Sequence, residues 1–148
     1  MFKFLEKILN EEADRKQVDE RDLMVATAGL FLEMVYADFE MHPDEEKQLT
    51  DALSNLFDLT QEEINQLLNK AKQNRDQRQD IWQFASLLKD HLERDQRLQI
   101  LTNLWRIVFA DGRVDKYEDA LMRKITNLLG LDHSEMIETK LRVKNEVG

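Results

Sequence analysis

Apolar positions recur at helical spacing through most of the chain, and short polar runs divide them into elements. Residues 21–37 hold Leu23, Met24, Val25, Ala26, Leu30, Phe31, Leu32, Met34, Val35 and Tyr36. This is apolar nearly all round, which predicts a central buried helix rather than a surface one. Gly29 inside it predicts the close approach of a second helix. After a break at 38–42, Pro43 suits a first helical turn, because its missing N–H has no partner there anyway. That helix is expected to run to about Phe57. Thr60 and Glu63 form a capping-box pattern that opens the next. Residues 72–80 contain no apolar residue and read as a linker. Beyond it, Trp82, Ala85 or Ser86, and Leu88 or Lys89 mark helical spacing, and Trp82 and Trp105 are expected to pack in the core or between the halves rather than form a ligand box. Residues 94–110 give a second broadly apolar helix, with Leu98, Leu101, Leu104, Trp105, Val108 and Phe109, stopped by Asp111-Gly112. Asp115 with Glu118 opens a helix ending at Gly130, and Asp132 with Glu135 opens the last. At the N-terminus, residues 1–12 are amphipathic, with Phe2, Leu5 and Leu9 on one face, expected to dock on the protein's own body or touch a membrane surface.

The two halves resemble each other at an offset of about 73 residues. LFLEMVYADFEMHPDEE aligns with NLWRIVFADGRVDKYED, so Ala37-Asp38 falls on Ala110-Asp111 and Glu45 on Glu118. After a one-residue slip, SNLFDLTQEEI aligns with TNLLGLDHSEM. The expectation is an all-α single domain, 1–148, of about seven or eight helices. It has two similar halves, 21–71 and 81–146, joined by the linker 72–80 and packed on their central helices.

Composition narrows the chemistry. The 148 residues carry 21 Lys and Arg against 30 Asp and Glu, a net charge of −9, which disfavours a nucleic-acid partner. The absence of Cys excludes disulfides, thiol catalysis and Cys-type zinc sites. No stretch reaches the roughly 18 to 20 apolar residues that would span a bilayer, and Lys3, Glu6 and Lys7 interrupt any secretory apolar run, so a cytoplasmic location is expected. His42, His91 and His133 are far apart in sequence and lie in no metalloprotease pattern. No phosphate loop or nucleophile elbow is present.

The acids at the breaks are the most suggestive feature. Asp38 and Asp111 sit where a helix ends, the side that disfavours negative charge by roughly 0.3–1 kcal/mol. A hard cation would compensate, since carboxylates and loop carbonyls suit Ca²⁺ or Mg²⁺. The bend would bring Asp111 near Asp115 and Glu118, and Asp38 near Glu40, Asp44 and Glu45. Capping accounts for the same residues without a metal: Asp115 and Glu118 are what a capping box uses, and Asp111 can accept backbone N–H groups. Both readings are open from the residues. The spacing is not that of an EF-hand, with Arg113 at the third position from Asp111 and Gly at the second. Gly112, directly after an apolar helix, is expected to take a positive φ.

ADGRVDKYE, between one apolar helix and the next, resembles the signature of the TerB-like family, which includes tellurite-resistance TerB and the N-terminal region of the cochaperone DjlA. The resemblance covers residues 21–143 and rests on two copies at the right separation. It implies an all-helical fold and metal-binding acids. Carried onto this chain, these are Asp111, with Gly112, and Glu118 in the second copy, and Asp38 and Glu45 in the first, where Phe39 stands in place of the family's Gly. It implies a role in stress response, such as tellurite resistance; with no catalytic motif in the sequence, the chain is expected to be non-enzymatic and to act through a protein partner, in stress response or at the membrane's inner face. A metal-free acidic module that recruits a basic partner is the main alternative. A metal-dependent hydrolase is a more distant one, needing an open cleft and a metal-bound water.

Overall fold

The computed structural model describes residues 19–37, 43–76, 81–111 and 116–147. These form α1 (Glu20–Ala37), α2 (Pro43–Leu56), α3 (Gln61–Asp76), α4 (Ile81–His91), α5 (Arg94–Val108), α6 (Lys116–Leu128) and α7 (His133–Val147). A short 3₁₀ turn, Phe109–Asp111, follows α5. The fold is all-α, as the patterning predicts. The N-terminal segment 1–12 lies outside the described residues.

α1 is the central helix. Leu23, Ala26, Ala28, Leu30, Phe31, Leu32, Met34 and Val35 are all buried on it, pointing in every direction around the axis. It is accordingly enclosed by α2, α3, α4, α5 and α6. Gly29 marks the contact with α4: a Cβ there would lie 2.6 Å from the Phe84 ring. The missing side chain therefore lets an aromatic ring rest on the helix backbone, against the roughly 1 kcal/mol that Gly costs inside a helix.

α5 holds the matching place in the second half. Ile100, Leu101, Leu104, Trp105, Ile107 and Val108 are buried, and the helix packs on α1, α2, α6 and α7. Trp105 is fully enclosed. Its indole Nε1–H donates to the Met136 carbonyl at 3.2 Å, so no polar atom of the ring is stranded, and the Lys140 ammonium sits 5.3 Å from the ring centre. Buried threonines on four helices avoid a similar penalty by donating to a carbonyl one turn back: Thr27 to Leu23, Thr102 to Leu98, Thr126 to Met122 and Thr139 to Glu135.

Three expectations are corrected. Trp82 is 60% exposed, because the buried stripe of α4 is Ile81, Phe84, Ala85 and Leu88, one position out of phase with Trp82. The polar stretch 72–80 is helical over its first part, since α3 continues to Asp76: the run is polar but holds no helix breaker. The α-helix of 94–110 stops at Val108, where the chain tightens into the 3₁₀ turn.

Candidate functional site

The helix openings predicted from i,i+3 pairs show what carboxylates do at these breaks. At α3 the pattern is reciprocal: the Thr60 N–H donates to Glu63 Oε1 at 2.9 Å, and the Glu63 N–H donates to Thr60 Oγ1 at 3.2 Å. The backbone and hydroxyl of Thr60 hold the Glu63 carboxyl below its ordinary pKa. At α7 the Asp132 N–H donates to Glu135 Oε1 at 2.9 Å, while the Asp132 carboxylate turns instead to Arg94, 3.3 Å away. Arg94 Nε also donates to Glu135 Oε2 at 2.9 Å. The Asp132 backbone N–H first, and Arg94 second, lower the Glu135 pKa. A third opening escaped the sequence reading: the Glu93 N–H donates to Gln96 Oε1 at 2.8 Å at the start of α5. Glu is a poor N-cap residue, so the pair gave no signal.

The break between α5 and α6 is the candidate site in the second half. Arg106 lies in the last turn of α5, where a cation favours the helix C-terminus. It forms a two-bond clamp to Glu146 of α7, at 3.1 and 3.0 Å, and donates to Asn103 Oδ1 at 3.1 Å. That clamp holds the Glu146 pKa below its ordinary value. The Phe109 ring leans on Trp105, with centroids 5.9 Å apart, and the 3₁₀ turn rests against α2 and α7. Asp111 is the last residue of that turn, its side chain outside the described residues.

Glu118 is in the first turn of α6 and only 2% exposed. A carboxylate so far from water requires compensation, and Glu118 is not without an interaction partner. Gly112 and Asp115 lie outside the described residues, as does the expected positive φ of Gly112. In the first copy Asp38 lies outside them too, along with Phe39, Glu40 and His42. Glu45 is the third residue of α2, with its side chain, like that of Asp44, outside the described set. Among the described residues no three His, Asp or Glu side chains converge as a metal site. His91 places Nδ1 at 2.9 Å from the Leu87 carbonyl, and His133 is an exposed first residue of α7.

Gly130 is where the positive φ of a helix end is found, at 71°. The Leu131 N–H reaches back to the Thr126 carbonyl and the Gly130 N–H to that of Asn127, both at 3.0 Å, so the last carbonyls of α6 are capped. Arg97 Nη1 adds a bond to the Leu129 carbonyl at 2.6 Å. Sequence could not announce this: Arg97 and Leu129 are 32 positions apart.

No helix among the described residues is long and apolar enough to cross a membrane. A family model described as "Tellurite resistance protein TerB" matches residues 24–141. No curated protein matches the chain. Among solved structures, a protein of unknown function from Porphyromonas gingivalis W83 shares the fold. It has 22% identity and a TM-score of 0.65, over 87% of this chain and 98% of that one. The family match spans both halves and both acidic breaks, and the chain belongs to the TerB family.

Proposed function

We propose that the protein is a non-enzymatic, cytoplasmic binding module of the TerB family. In this reading its acidic breaks take a divalent cation, Ca²⁺ or Mg²⁺, and it acts through a protein partner in stress response of the tellurite-resistance kind. The observation that carries the cation reading is Glu118, a carboxylate buried in the first turn of α6, seven residues after Asp111, where the 3₁₀ turn ends. Glu63 and Glu135, which serve helix openings at the same i,i+3 spacing, keep much more contact with water. Capping alone needs no burial. An enclosed carboxylate that follows Asp115 by three positions in the sequence suits a hard oxygen-binding cation.

A metal-free role for the same residues is favoured by one specific observation. The openings of α3 and α7 use their carboxylates on backbone N–H groups, and Asp115 with Glu118 repeats that spacing. A melt decides between them. A cation that binds only the folded protein at about 100 times its dissociation constant adds roughly 2.7 kcal/mol. The protein should melt higher in Ca²⁺ or Mg²⁺ than in EDTA, and Asp111→Asn should abolish most of that gain while leaving metal-free stability intact. Equal destabilisation by Asp111→Asn with and without the cation, or no cation-dependent shift at all, leaves the acidic, metal-free interaction module.

A further inference from the structure

The paired helices α2 and α6 occupy corresponding places in the repeat, and their buried positions agree. Leu49 aligns with Met122 and Ala52 with Ile125, and all four are buried. Their charge does not agree. α2 carries four acids against one base, whereas α6 carries three bases against two acids. At aligned positions Thr50 is replaced by Arg123, and Asp51 by Lys124.

The bases of α6 lie together on its outer side. Lys116, Tyr117, Ala120, Arg123, Lys124 and Asn127 are all exposed and form one stripe about 16 Å long, at 1.5 Å per helical residue. Tyr117 is 65% exposed. Of the two acids of this helix, one is enclosed and the other offsets a single base of the stripe. Glu118 is buried, and Asp119 is engaged by Arg123 at 3.2 Å and by Lys140 at 3.9 Å. Arg123 still leaves 64% of its side chain to solvent.

We infer that the outer stripe of α6 is a docking surface for an acidic helical segment of a protein partner. Charge complementarity selects the occupant. The stripe is narrow and one helix wide, and it stands out on a chain whose net charge is −9. A slender acidic segment engages it within a Debye length of about 8 Å, beyond which the rest of the acidic surface is screened. A flat anionic membrane would face that acidic surface as well, and three bases neutralise too few phosphates to hold a nucleic acid. Tyr117 and Arg123 are residue types that anchor interfaces, one by contact area and one by its planar fork. This inference rests on the protein being a binding module and is independent of the cation.

The test uses the full chain in EDTA and a labelled, short amphipathic peptide with a glutamate-lined face. Amide shifts on adding the peptide should map to residues 116–127. The double variant Arg123→Gln, Lys124→Glu should weaken binding by roughly tenfold or more with an unchanged melting temperature, as fits exposed positions. Tyr117→Ser should weaken it as well, while Tyr117→Phe retains it. Equal affinity in the double variant, or shifts that map elsewhere, would overturn the proposal. So would binding to vesicles of phosphatidylserine and phosphatidylcholine without binding to the peptide, or concentration-dependent self-association that the same variant abolishes. A cation-dependent melt that persists when the peptide fails leaves the cation reading standing and removes this surface.

Discussion

The turns that close α2 and α6 fall on aligned stretches of the sequence, SNLFDL and TNLLGL. In the first half the chain leaves at Phe57, whose N–H bonds to the Leu53 carbonyl at 2.8 Å. In the second it leaves at Leu129, whose N–H bonds to that of Ile125 at 2.8 Å. One residue later they part. Asp58 stands in the first and Gly130 in the second, and only the second runs a bond from Leu131 back to Thr126. The first closes instead with a bond from Leu59 to Phe57 at 3.0 Å. Both then reach an i,i+3 helix opening, with the Ile64 N–H on the Thr60 carbonyl and that of Met136 on Asp132. What the two turns share is an enclosed apolar residue where the helix closes, Phe57 in one and Leu129 in the other. The local way of bending is free to differ, because the long-range partners differ: Arg97 meets the Leu129 carbonyl, and a Cβ on Gly130 would lie 3.0 Å from that guanidinium and from Lys89.

Exchanging residues between the halves tests how far this equivalence extends. The largest loss is expected where one half relies on a shape the other lacks. Trp105→Leu writes in the residue of the first half, Leu32, and leaves a cavity together with a lost bond to Met136. It should cost about 3 kcal/mol in a urea melt. Gly29→Thr copies Thr102 into α1. Its Cβ alone conflicts with the Phe84 ring, so a loss of about 2–3 kcal/mol is expected, partly recovered by Phe84→Leu. A loss under 1 kcal/mol at both positions would mean the core repacks freely and the halves are interchangeable. Gly130→Ala should cost about 1–2 kcal/mol, since φ is positive there and the space is already tight.

The smallest effect is electrostatic. Glu63 and Glu135 both titrate below their ordinary range when folded, so each adds stability above its unfolded pKa of about 4.3. That contribution is lost as the pH falls through the lowered folded value. Glu135 is held by Arg94 as well as by the backbone. Glu135→Gln should therefore flatten the decline of stability below pH ~4.3 more than Glu63→Gln, measured by denaturant melts across that window. Equal flattening would show that Arg94 contributes nothing at this surface.

Much of this architecture was legible in the sequence, for reasons that also mark where legibility stops. Periodicity reports burial, so α1 and α5 were readable from their apolar residues. Gly29 was readable because an apolar helix has little other use for it. The openings of α3 and α7 followed from i,i+3 chemistry, which is local. Periodicity cannot end a helix whose last turn is merely polar, which is why α3 outran its stripe to Asp76. A single-residue phase error moved Trp82 from the expected core to the surface. The clamps of Arg94 on Glu135 and Arg106 on Glu146 join residues about 40 positions apart, so they exist only once α5 and α7 are packed. Of the five nominated acids, Glu118 is the one whose side chain is described. Its burial was not readable either, because a helix-opening glutamate is ordinarily a surface residue.

The halves do not each keep their own helices to themselves. α1 of the first packs on α4, α5 and α6 of the second, and α2 of the first packs on α5 of the second. A chain cut between residues 76 and 81 would thus yield two fragments, each exposing the apolar surface of a central helix meant for the other. Neither fragment should fold alone, yet mixed they should reconstitute the bundle. Joining them in one chain replaces that bimolecular search with an effective concentration in the millimolar range. The connection between the repeats then acts chiefly as a tether, and its sequence should tolerate replacement far better than any residue it brings together.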